Sequence, residues 1–254
     1  MQRDDWYSSS RSASRLADPK AVGRYAAQRA LARLGARKLS TRKVPVLYEA
    51  PLALGLLGSF VQATSGSALY RKTTFLVDSL GKRIFPEHVL IHEDPFVHGG
   101  MGSGPFDDEG VATAARDVVR DGVLQGYFLS SYSARKLGME TTGNAGGSHN
   151  LRLSSSLTRK GDDFEAMLRK LGTGLLLTEV MGQGVNYVTG DYSRGAAGFW
   201  VEGGRLQHPV HEITIAGNLR DMFKRIAAVG ADAYTLGGKT IGSVLIERMK
   251  IAGL

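Results

Sequence analysis

The chain has 254 residues, 43% of them hydrophobic and 22% charged, a balance that fits a folded core and excludes a disordered or fibrous protein. Its formal charge is +8, but residues 1–43 hold 11 basic and 3 acidic groups and the remainder 21 of each, so the excess lies in the amino-terminal part and a dedicated nucleic-acid-binding body is disfavoured. Cysteine is absent, which removes disulfides, thiolate metal ligands and a cysteine nucleophile.

In chain order, residues 1–17 read as a flexible, serine-rich arm. No secretory signal begins at Met1, and the longest apolar run, 52–61, is broken by Gly and Ser and falls short of the roughly 18–20 residues that span a bilayer, so a cytoplasmic protein without a membrane partner is expected. Asp18-Pro19 offers a cap and a first-turn proline for an amphipathic helix through Leu34, with Gly35 as its stop and an arginine-rich outer face at Arg24, Arg29, Arg33 and Arg37. That helix and its tail, 18–43, are read as a basic linker from a preceding domain, and 44–254 as one folded domain.

Beyond Val44 the periodicity shortens. A strand is predicted at 44–48 and a largely apolar, buried helix at 51–64. Hairpins are predicted around 79–81, around Asp121-Gly122 with a type I′ turn, and around Gly203-Gly204. Helices are predicted at 131–137, 162–171 and 218–229, each followed by glycine, and a last strand at 242–251. Because the strands lack a regular βαβ alternation, the fold class is α+β, mainly antiparallel sheets with a few interspersed helices.

Three places could carry chemistry. His88, His92 and His98 crowd one stretch with Glu87, Glu93 and Asp94, the ligand types of a non-thiol metal site, so a self-sufficient metal-dependent hydrolase is one reading; Pro86 and Pro95 make the stretch a loop-bounded edge where histidines are usually solvated. Ser148-His149, within the glycine-rich run 143–150, pairs a nucleophile type with a base type but says nothing of their mutual geometry. The glycine-rich run 181–200 precedes a strand pattern and has no P-loop lysine, so it is not a nucleotide site. Its turns would bring Asn186, Asp191, Tyr192, Ser193 and Arg194 onto one surface for a peptide or partner; turns held by Asx hydrogen bonds are an equal reading.

The segments GQGVNYVTGDYSRGAAGFW (182–200), PVHEITIAGN (209–218), YRKTTFLVDSLGK (70–82), SSYSARKLG (130–138) and GNAGGSH (143–149) together resemble the TldD/PmbA family, also called modulators of DNA gyrase, and within it the PmbA or TldE branch. The resemblance runs from about residue 6 to 254, and family members carry a further amino-terminal domain near whose end this chain is expected to begin. It implies a zinc metalloprotease assembly acting on unfolded or flexible peptides, in which a TldD-like subunit carries His-Glu-x-x-x-His on a helix and a later cysteine.

The matching segment here starts at Tyr48 and Glu49, with Ala50 at the catalytic glutamate and Ala53 or Leu54 at the second histidine, depending on register; Gly237-Gly238-Lys239-Thr240 stands near the cysteine. The resemblance therefore implies no catalytic residue, no metal site and no cofactor in this chain, zinc in the partner subunit, and proteolysis only by the complex. Partner or peptide contacts are expected at Asn186, Asp191, Tyr192, Ser193, Arg194, Phe199 and Trp200, the aromatic and arginine types enriched at interfaces. A third reading makes the basic arm a nucleic-acid or gyrase-associated module.

Overall fold

The computed structural model describes residues 1–253. Its strands are β1 (Arg42–Tyr48), β2 (Val89–Asp94), β3 (Arg116–Arg120), β4 (Val123–Leu124), β5 (Asn150–Ser155), β6 (Gly174–Met181), β7 (Asp191–Glu202), β8 (Arg205–Asn218), β9 (Ile226–Val229), β10 (Tyr234–Leu236), β11 (Lys239–Ile241) and β12 (Val244–Ala252). Its helices are α1 (Pro19–Ala32), α2 (Ala50–Ala63), α3 (Gly66–Tyr70), α4 (Ser131–Leu137), α5 (Phe164–Leu171) and α6 (Leu219–Lys224), with one 3-10 turn at Ala13–Arg15. The expected α+β class is what forms.

One sheet runs β1-β6-β7-β8-β12-β9, and a further β1–β12 pairing closes it on itself. The other runs β10-β11-β5-β2-β3-β4. Among the described strands, β1 with β6 and β11 with β5 pair in parallel and the other pairs are antiparallel. Alternation along β1, β6 and β12 explains the layering. Val46, Tyr48, Leu175, Leu177, Val244 and Ile246 join the main core, while Leu47, Leu176 and Leu245 between them pack with Met167, Leu168 and Leu171 of α5. Helix α2 fills the main core, its buried face including Ala53, Leu57 and Phe60.

Turn chemistry fixes two hairpins as expected. Asp121 (φ 50°) and Gly122 (φ 73°) join β3 to β4, and Gly203 (φ 56°) and Gly204 (φ 73°) join β7 to β8, both pairs left-handed as a type I′ turn demands. Helix α4 stops at Gly138 in the left-handed conformation, and α5 is capped by Asp163, whose side chain accepts from the Ala166 amide at 2.8 Å.

Two expectations fail. Residues 75–85 form no hairpin, because the phenol of Tyr127 does the work of a partner strand: its Oη accepts from the amides of Ser79 and Leu80, each at 3.0 Å, and donates to the Leu76 carbonyl at 3.3 Å. The helix expected over 218–229 ends at Lys224, and residues 226–229 form β9 on β12, with Val229 opposite Val244. An apolar run of four residues suits either state, and a tertiary partner selected the strand.

Candidate functional site

The segment that resembles a metal-binding helix lies at the joint of β1 and α2. Tyr48 ends the strand with its ring buried, its Oη against the Met249 sulfur at 3.5 Å, and burial, with Tyr192 adding to it, pushes its phenol well above the ordinary value. Glu49 is the N-cap of α2, yet its carboxylate caps nothing. It accepts both arms of the Arg29 guanidinium instead, at 2.7 and 3.0 Å. Ala50, Ala53 and Leu54 follow inside the helix and are buried.

Arg29 belongs to α1, and the helix faces differently from the expected orientation. Arg29 and Arg33 turn inward, while Tyr25, Leu31 and Leu34 are exposed. Carboxylates decide it. Asp4 pairs with Arg29 at 3.2 Å and with Arg33 at 3.0 Å, and Arg33 also bonds Glu179 of β6. Trp6 of the arm sits edge-on to Tyr25 (centroids 4.7 Å apart), against Tyr234 of β10 (5.5 Å) and under the Arg29 guanidinium (5.2 Å). The arm is thus tied by charge and stacking to the start of α2. Arg29→Ala should release Glu49 and loosen Trp6; in a Trp200→Phe background, acrylamide quenching of Trp6 should rise, and unchanged quenching would show that the Asp4–Arg33 pair and stacking on Tyr25 and Tyr234 hold the arm without Arg29.

Beside this joint runs a cleft of about 540 Å³ lined by Pro51, Leu54, Gly55 and Gly58 of α2 and by Leu236–Lys239. The fold therefore brings the turn of residues 237–240 next to the helix, the adjacency that the resemblance implies. The donors do not fit zinc. Three alkyl side chains cannot ligate, Glu49 is committed to Arg29, and Tyr48 is buried with its phenol strongly held as the neutral form.

The loop before β7 resolves into the turn reading. The Asn186 side-chain oxygen accepts from the Val188 amide at 3.0 Å, and Asp191 accepts from Thr189 Oγ1 at 2.6 Å and from Asn218 Nδ2 at 3.2 Å. Those two hydrogen bonds hold the Asp191 carboxyl below its usual range. The expected single surface does not form. Asn186, Asp191 and Ser193 are exposed, but Tyr192 and Trp200 are buried, because strand alternation sends them inward. Phe199 packs with the α5 cluster, and the Trp200 indole donates to Glu202 at 2.8 Å beneath the Arg42 guanidinium. Arg194 is half-buried, and its Nε has no hydrogen-bond partner among the described residues.

The histidines do not converge. His88 is held by Ser155 Oγ (2.9 Å) and the Ile226 carbonyl (3.0 Å), and His92 by Asp117 (2.7 Å). Among the described residues no group of three or more His, Asp or Glu is placed to hold a metal ion. His149 directs Nδ1 at the Gly102 carbonyl (3.2 Å) and Nε2 at that of Gly143 (2.9 Å), which leaves neither nitrogen for Ser148. Glu93, read with that cluster, faces inward with 1% exposure and accepts from Arg116 Nε, Asn144 Nδ2 and the His149 amide, each at 2.8 Å. It is the anchor of the glycine-rich segment 143–150, a role that alternation along β2 could have signalled, since Val89, Ile91 and Glu93 share its buried face.

A closed, mainly antiparallel sheet packed on a central apolar helix has close counterparts. Residues 41–253 match the family described as the PmbA/TldA metallopeptidase C-terminal domain, and the chain belongs to this family. It is 53% identical to metalloprotease PmbA of Escherichia coli O157:H7 and 49% identical to the PmbA homolog of Haemophilus influenzae, in each case over 253 residues that make up all of this chain and 55% of the relative. It thus spans about half the length of these curated relatives. A protein described as a modulator of DNA gyrase, from Bacteroides thetaiotaomicron, has the same fold with a TM-score of 0.91 at 30% identity over 98% of this chain and 55% of its own. TldE of Thermococcus kodakarensis, at 23% identity, shares the fold with a TM-score of 0.78 over 92% of this chain and 55% of its own. No helix among the described residues is long and apolar enough to cross a membrane.

Proposed function

We infer that this chain belongs to the subunit of a cytoplasmic PmbA/TldE-type metalloprotease assembly that binds no metal itself, and that zinc is held by a TldD-like partner acting on unfolded or flexible peptides. One observation carries this reading: where the family resemblance puts two histidines and a glutamate, Glu49 is locked to Arg29 and the neighbouring positions are Ala50, Ala53 and Leu54. A catalytic zinc needs three protein ligands and an open position, and its bound water needs a base. In this chain α2 serves as a packing element, and the cleft beside it, lined by glycines and apolar residues together with Tyr7, Ser9 and Lys239, is where a peptide would lie.

A second reading is favoured by a name: the relative with 53% identity is called a metalloprotease, so a self-sufficient enzyme is the rival. Metal content separates the two. The chain purified alone should carry zinc far below one ion per copy, and after mixing with a TldD-like subunit the zinc should follow that subunit's stoichiometry through gel filtration. One tightly held zinc per copy of this chain alone would favour the rival.

A further inference from the structure

Residues 44–254 are electrically balanced as a whole, yet three of their cations gather beside Lys43. A cleft of about 420 Å³ opens where β1, β8, β12 and α6 meet, and Lys43, Arg225, Arg248 and Lys250 line it against a single carboxylate, Asp221. Lys43 and Lys250 are direct cross-strand partners, an arrangement of like charges that costs stability unless something offsets it. Arg248 and Lys250 are exposed on either side of the inward-facing Met249 and therefore share one face, their Cα atoms about 7 Å apart as strand residues two positions apart must be. Among the described residues none of the four cations makes an ion pair or a side-chain hydrogen bond, although Arg29, Arg33, Arg116 and Lys170 elsewhere all do.

We propose that this cleft binds an acidic peptide segment in extended conformation. Carboxylates on alternate residues of such a segment repeat at about 7 Å, the spacing of Arg248 and Lys250. A nucleic-acid strand fits less well. Such strands are held by aromatic stacking as well as charge, and no aromatic residue lines the cleft. The site is separate from the α2 cleft, so the inference stands or falls independently of where the zinc is held.

The test is fluorescence anisotropy of a labelled oligoglutamate peptide titrated with the full 254-residue chain. Binding should weaken steeply between roughly 50 and 200 mM NaCl, as screening shortens the reach of exposed charges. It should fall at least about tenfold in the Arg248→Glu/Lys250→Glu variant, whose charges oppose those of the ligand. Lys43→Ala, a milder change, should give a smaller loss together with an unchanged or raised melting temperature, because the Lys43/Lys250 repulsion is removed. Lys20→Glu/Arg24→Glu on α1 should leave binding intact. The proposal is overturned by undetectable binding at low salt, by equal binding in the charge-reversed and native chains, by equal losses in the α1 variant, or by an oligothymidine of the same length binding more tightly than the peptide.

Discussion

Arg116→Ala is expected to lower the free energy of unfolding by about 3–5 kcal/mol, the range for removing one partner of a buried ion pair. Glu93 is almost fully enclosed and lies directly opposite Arg116 across the β2–β3 ladder, with the Arg116 Nε at 2.8 Å. Arg116 also donates to the Tyr127 carbonyl at 2.9 Å and to Asn144 Oδ1 at 3.0 Å, and its guanidinium lies 5.3 Å from the centre of the Phe128 ring. Truncation would leave the Glu93 charge held only by Asn144 and the His149 amide, and the Tyr127 carbonyl and Asn144 Oδ1 sharing the single Thr142 hydroxyl. Glu93→Gln should destabilise as well, since its single amide oxygen cannot serve the three donors that the two carboxylate oxygens accept from, and its NH2 group meets a donor. Urea denaturation at neutral pH measures both. A loss below about 1 kcal/mol for Arg116→Ala, the value of an exposed pair, would mean that water reaches the carboxylate.

Gly198→Ala should be comparably severe, at least about 3 kcal/mol, the top of the usual overpacking range. A Cβ built at Gly198 lies 1.9 Å from the Leu176 carbonyl oxygen and 3.0 Å from its carbon, and both atoms belong to the backbone of the paired strand β6. No rotamer change can relieve that contact, so β6 and β7 must separate where the closed sheet wraps the core. The melting temperature should fall by roughly 6–12 °C. Gly55→Ala is the control. Nothing stands within 4 Å of a Cβ there, and the position is helical, so a gain of about 0.5–1 kcal/mol is expected. Equal melting temperatures for the native chain and Gly198→Ala would show that the sheet yields more easily than its pairing suggests.

Local chemistry made much of the fold legible. Asp121-Gly122 and Gly203-Gly204 announced their hairpins because left-handed turn residues leave few alternatives, and Gly138 and Gly172 stopped their helices. What stayed hidden depended on partners distant in sequence. Residues 226–229 became a strand because β12 lies beside them, and residues 75–85 stayed irregular because Tyr127 satisfies their amides. The same division holds at the site. That Ala50, Ala53 and Leu54 cannot ligate follows from residue type alone. The inward turn of Arg29 and Arg33 does not, since their partners Asp4, Glu49 and Glu179 lie far along the chain, and α1 taken alone should bury its leucines. Interface composition likewise pointed to Tyr192 and Trp200, whose burial follows from the pleat of a strand that extends back to Asp191.

Cleavage of an unstructured peptide by this chain alone, by a TldD-like subunit alone and by the two mixed, each with and without a chelator, tests most directly whether the reactive centre lies outside this chain. Hydrolysis by the mixture, none by this chain alone and abolition by the chelator is the expected result. Chelator-sensitive hydrolysis by this chain with no partner present would contradict it.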